Sequence, residues 1–233
     1  MDIIKTKLKE ILLGIIIGDF ITAFFHWLED SYLEPHKIKN KFLYNIAIEN
    51  EFHHFIPRSI LSCSHFYNIR ITTFISFIAL ILFNLLAKDF FKKNFISIIV
   101  CLFIISISNL IHRFSHLRIQ ELNPILYFLQ KNNIIISNDE HRIHHAENPY
   151  IKFGVINKYT NYIYDYFMIW NKFEKLFYLL FGIKPTKKGK VSDYYNLYDE
   201  KLKKNMNLKI PKILTKEELL YYKNKLIDHI NQI

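Results

Sequence analysis

The chain has 233 residues, 51% of them hydrophobic and 16% aromatic, with a formal charge of +10. Its length suits one domain with a sizeable core, and its apolar and charged residues fall in separate blocks, which argues against a uniformly soluble basic domain. The lysines form no patch interleaved with a nucleic-acid motif, so nucleic acid is not the expected partner, and two cysteines, Cys63 and Cys101, give no disulfide framework.

Residues 1–10 are short and basic, with Lys5, Lys7 and Lys9. Residues 11–28 follow with Asp19 as their one formal charge, and read as a retained membrane helix: the run is too long for a signal peptide, and no small-residue cleavage site follows. An ionisable group inside such a helix is costly and is a functional candidate by default. Asp19, His26 and Asp30 are seven and four residues apart, so they share one helix face.

Residues 31–70 are mixed and polar, with His36, the pair His53 and His54, and His65. Within them, residues 40–55 read as a half-apolar helix at the membrane interface. Residues 71–87 and 95–111 are uncharged and form the second and third spans, separated by a basic turn with Lys88, Lys92 and Lys93. Both runs are short for a span, so extension into their flanks is expected. The third ends in His112 and His116, at i and i+4. Residues 117–131 have helical spacing broken by Pro124.

The densest stretch is Asp139, Glu140, His141, Arg142, Ile143, His144 and His145. If it is helical, its three imidazoles share a face, and neutral imidazole is the commonest side-chain metal ligand. Residues 159–181 are strongly aromatic and read as one amphipathic helix at headgroup level, ended by Gly182 and Pro185. A fourth crossing here is the alternative, and it would bury Asp165, Lys172, Glu174 and Lys175. From residue 184 onward twelve lysines stand against six acidic residues, most simply a solvated basic tail. Thr215 to Glu218 forms a capping box that opens a last amphipathic helix carrying Leu219, Tyr222, Leu226 and Ile230. The expected fold is an all-α membrane bundle of three spanning helices with interfacial helices. Its expected organisation is a membrane domain over 1–187 and a basic tail over 188–233.

Three crossings put His26, His53, His54, His65, His112, His116, His141, His144 and His145 on one side of the membrane, a segregation that scattered core histidines have no reason to show. Lysine and arginine near the membrane weigh weakly toward a cytoplasmic position for that side. Nine histidines exceed what one zinc needs. The spacing of His112 and His116 lacks the glutamate of a zinc protease. Two metals at one mouth of the bundle would use them, and histidine-rich di-iron centres attack unactivated C–H bonds.

The chain resembles the Kua/CarF-type lipid desaturases, the family of plasmanylethanolamine desaturase and the plastid palmitate desaturase. The resemblance runs over about residues 18–187 and rests on Gly18 to Phe20, on His26, Trp27 and Asp30, and on Pro35. It continues through His53, His54 and Pro57, then Asn109 to His116, His141 to His145, Asn161, and Trp170 to Glu174 with Gly182 and Pro185. It implies two iron ions held by the nine histidines, dioxygen as co-substrate, and insertion of a double bond into a lipid chain. In the ether-lipid members the product is the vinyl ether of plasmalogens. Asp19, Asp30 and Asn109 would support the ligands or pack the helices. Glu140 stands where the family often has histidine and is a candidate ligand. Phe52 and Ile56 replace common acidic residues, and the gap from Pro57 to His65 is two residues longer than usual. The sequence has no haem module and no iron–sulfur cysteine pattern, so electrons must come from a donor such as cytochrome b5 or ferredoxin. The alternatives are a membrane hydroxylase with the same histidine chemistry and a non-catalytic regulatory protein.

Overall fold

A computed structural model describes residues 2–186 and 189–232. Its regular structure there is helical: α1 (Asp2–Tyr32), α2 (Lys41–Phe55), α3 (His65–Leu86), α4 (Lys88–Lys93), α5 (Phe95–Ser115), α6 (Pro124–Lys131), α7 (Asn138–Arg142), α8 (Lys158–Tyr166), α9 (Ile169–Phe181), α10 (Glu200–Met206) and α11 (Lys216–Ile230). Among the described residues three helices, α1, α3 and α5, are long and apolar enough to cross a membrane. The chain is an all-α integral membrane protein. Each span runs beyond its uncharged stretch. Ser64 caps α3 by accepting from Tyr67 N at 3.1 Å, which adds a polar first turn below the apolar run.

α1 and α5 run parallel and in close contact. Ser97 Oγ, in the first turn of α5, donates to the Glu10 carbonyl of α1 at 3.0 Å, and the rings of His26 and His112 lie 5.4 Å apart toward the C-terminal ends of the two helices. Gly14 and Gly18 make the approach: a Cβ at Gly14 would stand 2.6 Å from the Ser97 carbonyl, and one at Gly18 would stand 2.9 Å from Ile104 Cβ. Small residues four apart let helix backbones meet in lipid, where no hydrophobic force drives association. α3 is antiparallel to α5, with Thr72 Oγ1 donating to the Ser106 carbonyl at 2.9 Å. These directions bring the last turns of α1 and α5 and the first turn of α3 to one end.

The aromatic stretch 159–181 is two helices rather than one. Met168 takes a left-handed φ of 49° between α8 and α9, a turn that no glycine or proline announces. α9 lays Trp170, Phe173 and Phe177 on Phe20, Phe24 and Trp27 of α1. Its other side leaves Leu179 and Leu180 exposed, as suits a helix lying at the interface. Gly182, at φ 68°, ends it. Pro124 opens α6 at its first position rather than breaking a longer helix, and Asn123 caps it.

The basic tail is not simply solvated. Tyr194, Leu197, Tyr198, Leu202, Tyr222, Leu226 and Ile230 form one buried cluster with Ile48, Phe52, Phe55 and Ile56 around α2. Tyr198 Oη donates to the Phe55 carbonyl at 2.7 Å. The tail's described lysines stay exposed or half-exposed while apolar residues close over the helix that carries His53 and His54. The expected capping box holds, with Thr215 and Glu218 satisfying each other's backbone.

Candidate metal centre

Four segments bring imidazoles to the shared end of α1 and α5. α1 supplies His26 and Asp30, α2 supplies His53 and His54, α5 and its cap supply His112 and His116, and α7 with the following turn supplies His141, His144 and His145. They divide into two groups, each with ligand atoms within 4.8 Å of one another: His53, His112, His116, His141 and His145; and His26, Asp30, His54 and His144. All nine side chains are buried.

The division follows from local geometry. His53 and His54 are adjacent on α2, so they point about 100° apart and enter different groups. The stretch expected to place three imidazoles on one face splits as well. After Arg142 the chain widens into a π-helical turn, Ile143–Glu147, an irregularity frequent at functional sites. His141 and His145 turn to the five-histidine group, and His144 turns to the other.

In the five-histidine group the Nε2 atoms converge. His112 Nε2 lies 3.1 Å from that of His53, 2.8 Å from that of His141 and 3.2 Å from that of His116. His145 and His141 are 3.0 Å apart at the same atoms. A ring nitrogen carries at most one proton, so His112 Nε2 cannot hydrogen-bond all three neighbours. A cation satisfies them together. Burial, reinforced by the neighbouring imidazoles, holds His53, His116, His141 and His145 well below the usual imidazole range. These rings are therefore neutral at pH 7 and offer lone pairs. The five ring nitrogens lie within 4.8 Å of one another, close enough to bind one ion together.

In the second group one carboxylate gathers three rings. Asp30 Oδ2 lies 3.0 Å from His144 Nε2 and 3.4 Å from His26 Nε2. Asp30 Oδ1 lies 3.2 Å from His54 Nε2 and accepts from Asn50 Nδ2 at 2.8 Å. His26 Nδ1 donates to the Phe153 carbonyl at 2.8 Å, and His144 Nδ1 donates to the Ile151 carbonyl at 2.9 Å. A carbonyl can only accept, so both rings carry a proton on Nδ1, and their Nε2 atoms and Asp30 Oδ2 are buried with no hydrogen-bond partner. Partners of this kind fix the tautomer and orientation of metal-ligating histidines.

Several expected residues stand elsewhere. His65 joins neither group. It is exposed at the first turn of α3 with its ring 5.8 Å from that of Phe114, because the 3-10 turn Pro57–Ser62 and the Ser64 cap take up the longer gap and start α3 on the outer side. Glu140 pairs with Lys152 Nζ at 2.6 Å, away from both groups. Asp19 is fully buried on α1 outside both groups, and Asn109 is half-buried on α5. Asp30, expected only as a supporting group, sits among the candidate ligands.

Sequence reasoning passed over Asn50, Ile151, Lys152, Phe153, Arg58 and Glu121. Arg58 and Glu121 form a forked pair at 2.8 and 2.9 Å, and Arg58 also donates to the His116 carbonyl at 3.0 Å. Their signal was an arginine one residue beyond the Pro57 motif in a turn with no other charge.

A buried histidine cluster at one end of three membrane-length helices defines a membrane protein with a candidate metal site. The lipid desaturase domain matches residues 15–188, and the chain belongs to that family, which makes it a membrane oxidoreductase acting on lipid. It is 28% identical over 198 residues to a probable fatty acid desaturase of Acanthamoeba polyphaga mimivirus, covering 84% of this chain and 92% of the relative. No solved structure matches it.

Proposed function

We propose that this chain is a di-iron, dioxygen-dependent desaturase that places a double bond in a lipid alkyl or acyl chain. The nearest reaction type is that of plasmanylethanolamine desaturase, forming a vinyl ether from a 1-O-alkyl lipid. The observation that carries the reading is His112 Nε2 standing within 3.2 Å of three other Nε2 atoms, beside a second group built on Asp30. His53, His112, His116, His141 and His145 hold one ion, and His26, Asp30, His54 and His144 hold the other. Five imidazoles in one group exceed the four ligands of a structural zinc, and imidazoles with a carboxylate in the other suit iron. Bound iron supplies the means of activating dioxygen to take hydrogen from an unactivated C–H bond.

The chain's own residues do the rest. Burial of all nine groups excludes bulk water, and the carbonyls of Ile151 and Phe153 keep two protons on Nδ1. Desaturation removes two hydrogens from adjacent carbons, and dioxygen leaves as two waters after taking two further electrons and two protons. Those electrons come from an outside donor of the cytochrome b5 or ferredoxin type, since Cys63 and Cys101 are free thiols. The charge bias near the spans supports a cytoplasmic position for the histidine end.

The test is metal content of detergent-purified protein beside His144→Ala, followed by lipid analysis of cells expressing each. Two irons per chain, one for each group, with fewer in the variant and an alkene product, support the reading. One zinc per chain points to hydrolysis. A hydroxylated lipid without alkene points to a hydroxylase. No specific metal in folded protein points to a regulatory membrane protein.

A further inference from the structure

Glu140 and Lys152 form a part-buried pair that the chemistry of the two groups does not use. Lys152 Nζ meets Glu140 Oε2 at 2.6 Å, and the Tyr162 hydroxyl donates to Oε1 at 2.9 Å. Lys152 is 7% exposed and has a φ of 60°, a left-handed conformation that non-glycine residues keep only where their surroundings hold it. Its position in the chain gives that conformation a use. The carbonyl before it, on Ile151, accepts from His144 Nδ1; the carbonyl after it, on Phe153, accepts from His26 Nδ1. The backbone torsions of Lys152 and Phe153 thus set the angle between the two carbonyls that orient two of the three imidazoles around Asp30.

The segment 151–154 is fastened at both ends. From α8, Asn161 accepts from Gly154 N at 2.7 Å and donates to the Gly154 carbonyl at 2.8 Å. A Cβ at Gly154 would stand 2.6 Å from Asn161 Oδ1, so only glycine fits this approach. Lys152 N also donates to Asp165 Oδ1 at 3.4 Å. From α7, Glu140 holds the other end through Lys152, one residue before His141. We propose that Glu140 and Lys152 are positioning residues that fix the 151–154 segment, so that the Ile151 and Phe153 carbonyls aim His144 and His26 at the metal beside Asp30. Glu140 acts through this bracket and not as a ligand.

The inference rests on the two-metal reading above. Its test uses the full chain in detergent, stripped of metal and titrated without oxygen with ferrous iron, with the two ions resolved by Mössbauer spectroscopy. Lys152→Met keeps the aliphatic stem and removes the charge. It weakens one ion 10- to 100-fold, the usual effect of losing a partner that orients a ligating histidine, and leaves the ion of the five-histidine group unchanged. A general loss of folding would release both. Exchanging the charges, Glu140→Lys with Lys152→Glu, restores part of the lost affinity. Two ions bound by Lys152→Met as tightly as by wild type overturn the proposal. So does Glu140→His that keeps both ions while the exchanged pair recovers nothing, which marks Glu140 as a ligand position. A wild-type chain that takes up no ferrous iron overturns the metal reading itself.

Discussion

Leu226→Ala tests whether the basic tail holds the histidine pair of α2. Leu226 is fully buried, in one cluster with Phe55, Tyr194, Tyr198 and Tyr222. Large aromatic neighbours collapse poorly into a small void, and leucine-to-alanine changes at such sites cost about 2–5 kcal/mol. At about 1.4 kcal/mol per factor of ten, the lower figure raises the fraction of chains with the tail lifted about 30-fold. The lifted state uncovers Phe52, Phe55 and Ile56 and removes the Tyr198 hydrogen bond to the Phe55 carbonyl, so the last turn of α2 frays with it. Hydrogen exchange read by mass spectrometry in nanodiscs measures both elements. Exchange is expected to quicken in α11 and in the last turn of α2 together. Unchanged exchange in α11 refutes the packing; a quickened α11 beside an unchanged α2 refutes the coupling.

Four further outcomes are expected. Asp30→Asn keeps the shape and removes the one carboxylate among the nine candidate ligands; iron analysis should show one ion lost from the group of His26, His54 and His144, and retention of both would exclude Asp30 as a ligand. His65→Ala should leave iron content at the wild-type level, because His65 is exposed outside both groups; a drop would place it back among the ligands. Gly14→Val pushes a side chain into the Ser97 carbonyl and Val100 and should destabilise the protein by about 1–3 kcal/mol, as overpacking commonly does, read as a lower thermal unfolding midpoint in detergent; an unmoved midpoint would mean that α1 and α5 are not so close. Metal-free protein should lose stability on acidification: His53, His116, His141 and His145 stay neutral when folded, whereas the unfolded chain takes up protons below about pH 6.5. Their contribution is therefore complete above that pH and falls below it, by up to about 1.4 kcal/mol per pH unit for each ring. Unfolding midpoints that are flat from pH 7 to 5 would refute neutral burial.

The spans were legible because uncharged runs between basic flanks leave few other folds. Their ends were not, since polar residues such as Ser64 and Glu29 continue or cap a helix as readily as they end one. The histidines were legible as a set through their spacing. Their division into two groups depends on adjacent residues pointing apart on α2 and on a π-helical turn after Arg142, and neither has a composition that announces it. Backbone carbonyls have no signature at all, so Ile151 and Phe153 stayed invisible. The packing of the tail was obscured by its lysines, although Tyr194, Leu197, Tyr198 and Leu202 already stood at helical intervals. His65 stands outside both groups in the structure, where the gap after Pro57 is longer than in the family pattern from which its place was read.

The joint of α1 with α9 gives the protein a built-in optical gauge. Trp27 and Trp170 are the two tryptophans of the chain, both are buried, and their rings stack with centroids 5.9 Å apart. Trp170 also meets the ring of Phe153 at 5.3 Å, the residue whose carbonyl steadies His26. Intrinsic tryptophan emission thus arises from a single place, next to the Asp30 group and remote in sequence from the tyrosine-rich tail. Its colour and intensity report on that joint and the rings around it, so occupancy of the neighbouring centre can be followed in unlabelled protein.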